Sequence, residues 1–298
     1  MRHLTALLGA IVLSAGSALA QRIELPPISD PASAEHHAGK FIWSELATPD
    51  LAAAKVFYSG LLGWTFRDLR AGEKGYAVAL LGDQPVGGLL QKAAPAGEHR
   101  RPAWLGFIAV RDADAASKVA LEHGAKTVFA PRTFPQRGRQ AVFTDPEGAT
   151  FAVLASSSGD PGDFLAAPGA WIWSSLLARD ADKEAAFYQT LFGYDVFDLP
   201  SDDKLDHLIL SSDDYARASV NSFPDNASRR YPHWVNFVRV LDAASSSAKA
   251  VALGGRILVE PHLDRQGARV ALVADPSGAL LGLMEWSDAD GDGDKGPK

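Results

Sequence analysis

The strongest constraint on this chain is that it is written twice. Phe41-Ile42-Trp43-Ser44-Glu45-Leu46 recurs as Trp171-Ile172-Trp173-Ser174-Ser175-Leu176, an offset of 173 − 43 = 130. The same offset carries Asp50 to Asp180, Phe57-Tyr58 to Phe187-Tyr188, Gly63 to Gly193, Trp104 to Trp234 and Asp112 to Asp242. It also carries Gly124 to Gly254, Pro131 to Pro261 and Asp145-Pro146 to Asp275-Pro276. So many matches at one spacing mean two copies of a single module. The copies span residues 40–155 and 169–287, and polar, turn-forming Ser156 to Gly162 assigns 156–168 to a linker.

The ends of the chain read differently. Arg2, the apolar run Leu4 to Leu13, and a small-residue stretch closing on Ala18-Leu19-Ala20 make residues 1–20 a cleavable signal peptide. The apolar run is far shorter than the roughly 20 residues a bilayer span needs. The mature chain is therefore expected to begin near Gln21, to be exported to the periplasm or secreted, and to have no membrane partner after cleavage. Residues 21–39, with three prolines and His36-His37, read as a flexible leader. The acidic, glycine-rich stretch 288–298 reads as a disordered tail, since it lacks the position-twelve carboxylate of a calcium loop.

Composition narrows the function classes. With no cysteine there is no disulfide frame, thiolate nucleophile or zinc–thiolate site. A net charge of −7 without a basic run argues against nucleic acid as a partner, because phosphate binding needs clustered Lys and Arg. A small organic molecule is the expected partner.

Within the first copy, 41–47 suits a strand, Asp50 a helix N-cap, Ala54, Phe57, Tyr58 and Leu61 one helical face, and Gly63 a helix stop. Tyr76 to Leu81 and Val86 to Leu90 form a hairpin around Gly82-Asp83. The plan repeats with strand 104–110, N-cap Asp112, a helix to His123, and strands near 127–130, 139–144 and 149–155. Each module is thus two βαβββ halves, and the fold class is α+β, built of tandem βαβββ modules with mixed sheets and helices on the outer face.

The first strand, Asp50, Phe57-Tyr58, Leu62-Gly63-Trp64 and Asp145-Pro146-Glu147-Gly148 resemble the vicinal oxygen chelate superfamily of glyoxalases, bleomycin-resistance proteins and extradiol dioxygenases. The signature returns at Asp180, Phe187-Tyr188, Phe192-Gly193-Tyr194 and Asp275-Pro276-Ser277-Gly278. The resemblance implies cup-shaped sheets whose concave faces hold a ligand or a metal. It places metal ligands about seven residues before the capping Asp and seven after the Asp of the Asp-Pro turn. Those positions are Trp43, Trp173, Ala152 and Gly282, none of which can ligate. Glu45, His233 and Glu285 are the conceivable substitutes for a divalent metal, but Glu45 becomes Ser175 and His233 becomes Ala103 across the copies. No cofactor is expected.

Trp43, Trp104, Trp173 and Trp234 are read as an aromatic cleft wall for a planar or apolar ligand, with Glu45, His233 and Asn236 as orienting polar groups. The equally available alternative is that the tryptophans are ordinary core residues. Phe57, Tyr58 and the Asp-Pro turns are read as structural, and the arginines of 137–139 and 265–269 as solvated loop residues, with contact to an anion near the cleft mouth as the alternative. The function expected is metal-free binding of a small organic molecule, as in the drug-binding branch of the resembled family. The rivals are a metal-dependent lyase, isomerase or dioxygenase/hydroxylase-like enzyme, and a non-catalytic structural or partner-binding protein. Two copies on one chain can pair internally, so a monomer is expected, with a dimer as the alternative.

Overall fold

The computed structural model describes residues 24–70, 74–93, 102–199, 205–223 and 231–286. The stretches expected to be a signal peptide, 1–20, and an acidic tail, 288–298, lie outside the described residues. In the first domain the order is β1 (Phe41–Thr48), α1 (Leu51–Leu62), β2 (Thr65–Arg70), β3 (Tyr76–Leu81), β4 (Gln84–Gln91), β5 (Ala103–Ala109), α2 (Ala113–Glu122), β6 (Lys126–Phe134), β7 (Gly138–Thr144) and β8 (Thr150–Ser156). The second repeats it as β9 (Trp171–Ala178), α3 (Ala181–Phe192), β10 (Asp195–Asp198), β11 (His207–Ser212), β12 (Tyr215–Ser222), β13 (His233–Val240), α4 (Ala243–Ala252), β14 (Arg256–Leu263), β15 (Arg269–Ala274) and β16 (Leu280–Glu285). Each domain is an open eight-stranded mixed sheet, ordered β2-β3-β4-β1-β5-β8-β7-β6 and β10-β11-β12-β9-β13-β16-β15-β14. The α+β cup architecture expected from the repeat and the resemblance is the one formed.

The helices start and stop for local reasons. Asp50, Asp112, Asp180 and Asp242 each accept a first-turn backbone N–H, satisfying donors the helix itself leaves free. After α1 and α3 the chain turns at Gly63 and Gly193, whose φ of 75° and 74° a Cβ would disfavour. The expected helical face Ala54, Phe57, Tyr58 and Leu61 is the buried one.

The repeat is offset by one residue in part of its length. β1 pairs β4 through Glu45 and Gly88, whereas β9 pairs β12 through Ser175 and Ser219. The hairpin offset is therefore 219 − 88 = 131. By the second central strand it is 130 again, since Trp43 pairs Phe107 and Trp173 pairs Phe237. Single-residue shifts of this kind sit in the connections, where an added residue disturbs no packing.

The domains share their cores. One apolar cluster joins Ile108, Ala116, Phe143, Phe151 and Val153 to Leu176, Phe187, Tyr188, Leu210 and Trp234. Its mirror joins Leu46, Phe57, Tyr58, Trp64 and Trp104 to Val238, Ala271, Val273 and Leu283. The helix-covered faces thus meet at the junction, α1 beside α4 and α2 beside α3.

The leader departs from expectation over residues 24–39, which are packed against the first domain. Leu25 and Ile28 are buried among Trp43, Tyr76, Phe107 and Leu154. The backbone N–H groups of Ile28 and Ser29 both donate to Ser158 Oγ, at 2.9 and 3.0 Å, and Ser33 N–H donates to the Ser158 carbonyl at 2.8 Å. His37 N–H donates to Asp160 Oδ2 at 2.8 Å. The polar stretch after β8, sequence-polar because it turns, is what the leader zips onto.

Candidate functional site

Side chains that pair across neighbouring strands point to the same face of a sheet. Trp43, Glu45, Leu105, Phe107, Ala152 and Leu154 therefore line one concave face, joined from the hairpin by Tyr76, Val78 and Gly88. Trp173, Ser175, His207, Ser219, Asn221, His233, Val235, Phe237 and Gly282 line the other. These two cups bring together Trp43 with Glu45, and Trp173 with His233.

The remaining expected site residues do not face the cups. Trp104 pairs Leu46 and Trp234 pairs Leu176, on the opposite, helix-covered faces. There Trp104 Nε1–H donates to Tyr58 Oη at 2.8 Å, and Tyr58 donates to Asp275 Oδ2 of the other domain at 3.2 Å. The repeat-matched chain runs from Trp234 to Tyr188 at 2.9 Å and from Tyr188 to Asp145 Oδ2 at 2.9 Å. Asn236 also faces the junction, where its Oδ1 accepts from Ser174 Oγ at 2.9 Å. A Cβ on Gly106, its counterpart in the first copy, would meet Asn236 Oδ1 at 3.4 Å and Phe41 at 2.6 Å. These three residues are interdomain structure. Glu285 likewise turns from the cup, its Oε1 accepting the Ala243 N–H at the start of α4 at 2.7 Å.

The first cup is closed and charged. Arg137, expected as a solvated loop residue, is 1% exposed, with its guanidinium 3.9 Å over the Trp43 ring. A tight turn folds it inward: Arg137 N–H donates to the Pro135 carbonyl at 2.8 Å across Gln136, whose φ is +65°. At the next residue, Gly138, a Cβ would stand 2.1 Å from the Ala155 carbonyl oxygen. Glu45 accepts from Tyr76 Oη at 3.0 Å. A Cβ on Gly88 would stand 2.1 Å from that hydroxyl, so only glycine lets it reach. Burial raises the Glu45 pKa against the opposing pull of Arg137, and burial lowers that of Arg137. Leu25 and Ile28 cover the cup.

The second cup is half-open, with Ser175 and Gly267 at the positions of Glu45 and Arg137. Trp173, Ser175, His207, Asn221 and His233 are all only partly buried. Trp173 Nε1–H donates to Ser219 Oγ at 3.1 Å, and Ser219 Oγ–H donates to Ser175 Oγ at 3.0 Å. Asn221 Nδ2–H donates to both hydroxyls, while its Oδ1 meets His207 Nδ1. His233 Nδ1 lies 2.6 Å from the Tyr231 carbonyl, and its ring is 6.3 Å from that of Phe223.

Comparison with known proteins bears on this geometry. The model of the glyoxalase/bleomycin resistance protein/dioxygenase superfamily matches residues 33–153, and that of a glyoxalase-like domain matches 173–284. The anthracycline biosynthesis protein DauV of Streptomyces sp. is 30% identical over 259 residues, covering 83% of this chain and 93% of that protein. The chain belongs to the glyoxalase/bleomycin resistance/dioxygenase superfamily. "Putative glyoxylase CFP32" of Mycobacterium tuberculosis is 28% identical over 258 residues, covering 86% of this chain and 98% of that protein. Among solved structures, the Mn(II)-bound glyoxalase of Novosphingobium aromaticivorans superposes with a TM-score of 0.58 at 16% identity, over 84% of this chain and 83% of that one. The 2,3-dioxygenase LapB of Pseudomonas sp. KL28 gives 0.57 at 13%, over 89% and 98%. These two share the fold.

A metal does not fit the donor sets of either cup in this superfamily member. The positions assigned to metal ligands do converge on the concave faces, since Ala152 pairs Phe107 beside Trp43 and Gly282 pairs Phe237 beside Trp173. None of the four offers a lone pair to a cation. A Cβ on Gly282 would lie 2.3 Å from the Phe237 ring, so a carboxylate there requires that ring to move. In the first cup a guanidinium cation already stacks on Trp43. Among the described residues no three or more His, Asp or Glu are grouped to hold a metal ion.

Sequence reasoning missed Tyr76 and Arg137. Tyr76 looked like any strand aromatic, and Arg137 stood in a polar turn with nothing local to mark it as buried. The one available signal was the repeat itself, in which Arg137 is replaced by Gly267.

Proposed function

We propose that the protein is an exported, metal-independent binder of small organic molecules, with the second cup as its accessible site. The observation that carries this reading is Trp173, half-buried at the position the superfamily uses for a metal ligand and held by Nε1 to a hydroxyl–amide network. An aromatic wall beside a few fixed polar groups suits a planar organic ligand. His233 and Asn221 would orient it. Export rests on the first twenty residues.

Titration of the purified chain with a panel of planar aromatic compounds, followed by tryptophan fluorescence, tests it together with elemental analysis. Saturable quenching that Trp173→Leu weakens by about tenfold or more, in protein free of stoichiometric metal, is the expected result. Binding unchanged in Trp173→Leu would refute the second cup as the site. Tightly held divalent metal would refute metal independence.

A second reading, an enzyme of the same superfamily, draws on the name of the mycobacterial relative. Glu45 in the first cup and His207 and His233 in the second are cup-facing groups that could exchange a proton with a substrate. Turnover of an α-oxoaldehyde adduct by the purified chain, lost in Glu45→Gln or His233→Ala, would favour it.

A further inference from the structure

The guanidinium of Arg137 is enclosed, yet Nε, Nη1 and Nη2 all lack a hydrogen-bond partner. Trp43 Nε1–H, in the ring beneath it, makes no hydrogen bond of full geometry either, interacting only weakly with Glu45 and Tyr76. The neighbouring Glu45 acts on the guanidinium electrostatically, but its carboxylate accepts from the Tyr76 hydroxyl at 3.0 Å and makes no hydrogen bond to the fork. A guanidinium presents five N–H donors in a rigid fork, and enclosing such a charge without an acceptor costs several kcal/mol. Buried donors are satisfied in the great majority of native proteins, so this cluster calls for an acceptor from outside the chain.

We propose that the first cup binds a small organic carboxylate, its oxygens on the Arg137 fork and Trp43 Nε1–H and its apolar body against Val78, Phe107 and Leu154. The fork geometry selects a planar acceptor pair, which a carboxylate supplies and a halide does not. A fork without hydrogen-bond acceptors among apolar walls selects a single carboxylate on an otherwise apolar molecule. Leu25 and Ile28 lie over the same residues, so the ligand enters as the leader lifts from Ser158 and is covered when it returns. The second cup has Gly267 where Arg137 stands, which makes the site single and independent of the reading given for that cup.

Calorimetric titration of the full mature chain with benzoate, phenylacetate and 2-naphthoate, each against its primary amide, tests the site. At least one carboxylate should bind with its amide about tenfold weaker or worse. Measured in a Trp173→Leu background, so that the second cup does not contribute, Arg137→Gln should bring the two within about twofold. Should Arg137→Gln fail to fold, Arg137→Lys serves, keeping charge but losing the fork, with a reduced carboxylate preference expected. Equal binding of acid and amide, a preference that survives loss of the fork, or no saturable binding of any of the three acids would overturn the proposal. Any of those results leaves the Trp173 reading of the second cup standing or falling on its own test.

Discussion

At the scale of single residues, the repeat-matched tryptophans divide evenly, two facing the cups and two clamping the junction. Tyr58 and Tyr188 each receive an indole N–H from their own domain and donate to the Asp of the other domain's Asp-Pro turn. The second oxygen of each Asp caps its own turn, accepting from Gly148 and Ala149 or from Ser277 and Ala279. Tyr188→Phe leaves a buried indole donor and a buried carboxylate oxygen unpaired, so chemical denaturation should show a loss of about 1–3 kcal/mol. Glu184 gives the junction a pH dependence. Burial first, then the charge of Asp145 beside it, pushes its pKa from 4.5 up to about 9. Between those limits the folded chain keeps a proton that the unfolded chain has released. Its contribution to stability is therefore full below about pH 4.5 and is lost progressively as the pH rises through about 9. Glu184→Gln should flatten the stability profile over that range and leave the variant about 1–3 kcal/mol more stable than the wild type at pH 8. Melting curves across pH measure it, and a profile parallel to the wild type would contradict the assignment.

At the scale of elements, the leader is the segment whose behaviour differs most from its composition. Prolines and polar residues gave residues 21–39 the look of a loose tether, but two apolar side chains three apart, Leu25 and Ile28, find the open side of a cup. Its attachment is local: Ser158 alone accepts two of its N–H groups through Oγ and a third through its carbonyl. Ser158→Ala should speed hydrogen exchange at the Ile28 and Ser29 amides by about tenfold, with global stability nearly unchanged. Hydrogen exchange that slows or stays constant would mean that the apolar contacts alone hold the strap. The hairpins β3–β4 and β11–β12 make the opposite point, for they keep equivalent pairing to the central strand although their offset is one residue larger.

At the scale of the whole molecule, neither domain owns a complete core. Phe151 packs on Phe187 and Tyr188, and Trp171 inserts between Trp64 and Trp104, so separating the domains would strip apolar surface from both sides of the junction. Urea denaturation followed by fluorescence and by circular dichroism should therefore give one coincident transition for the two domains. A chain cut within 161–168 should yield fragments that fold only when mixed. Two separated transitions would show that each domain is stable alone.

The sequence by itself determined the duplication, the α+β class, the four helix caps and the helical face that packs, because these depend on contacts a few residues apart and on a spacing repeated twice. It also located Trp43, Glu45, Trp173 and His233 on strands that line cups. Only the tertiary structure decided that Trp104, Trp234 and Asn236 turn to the junction, since the face of a strand residue follows from cross-strand register. A bulge between Phe41 and Trp43 alters that register with no mark in the composition. Burial of Arg137 and docking of the leader were equally invisible, because both are set by what the distant chain brings over them.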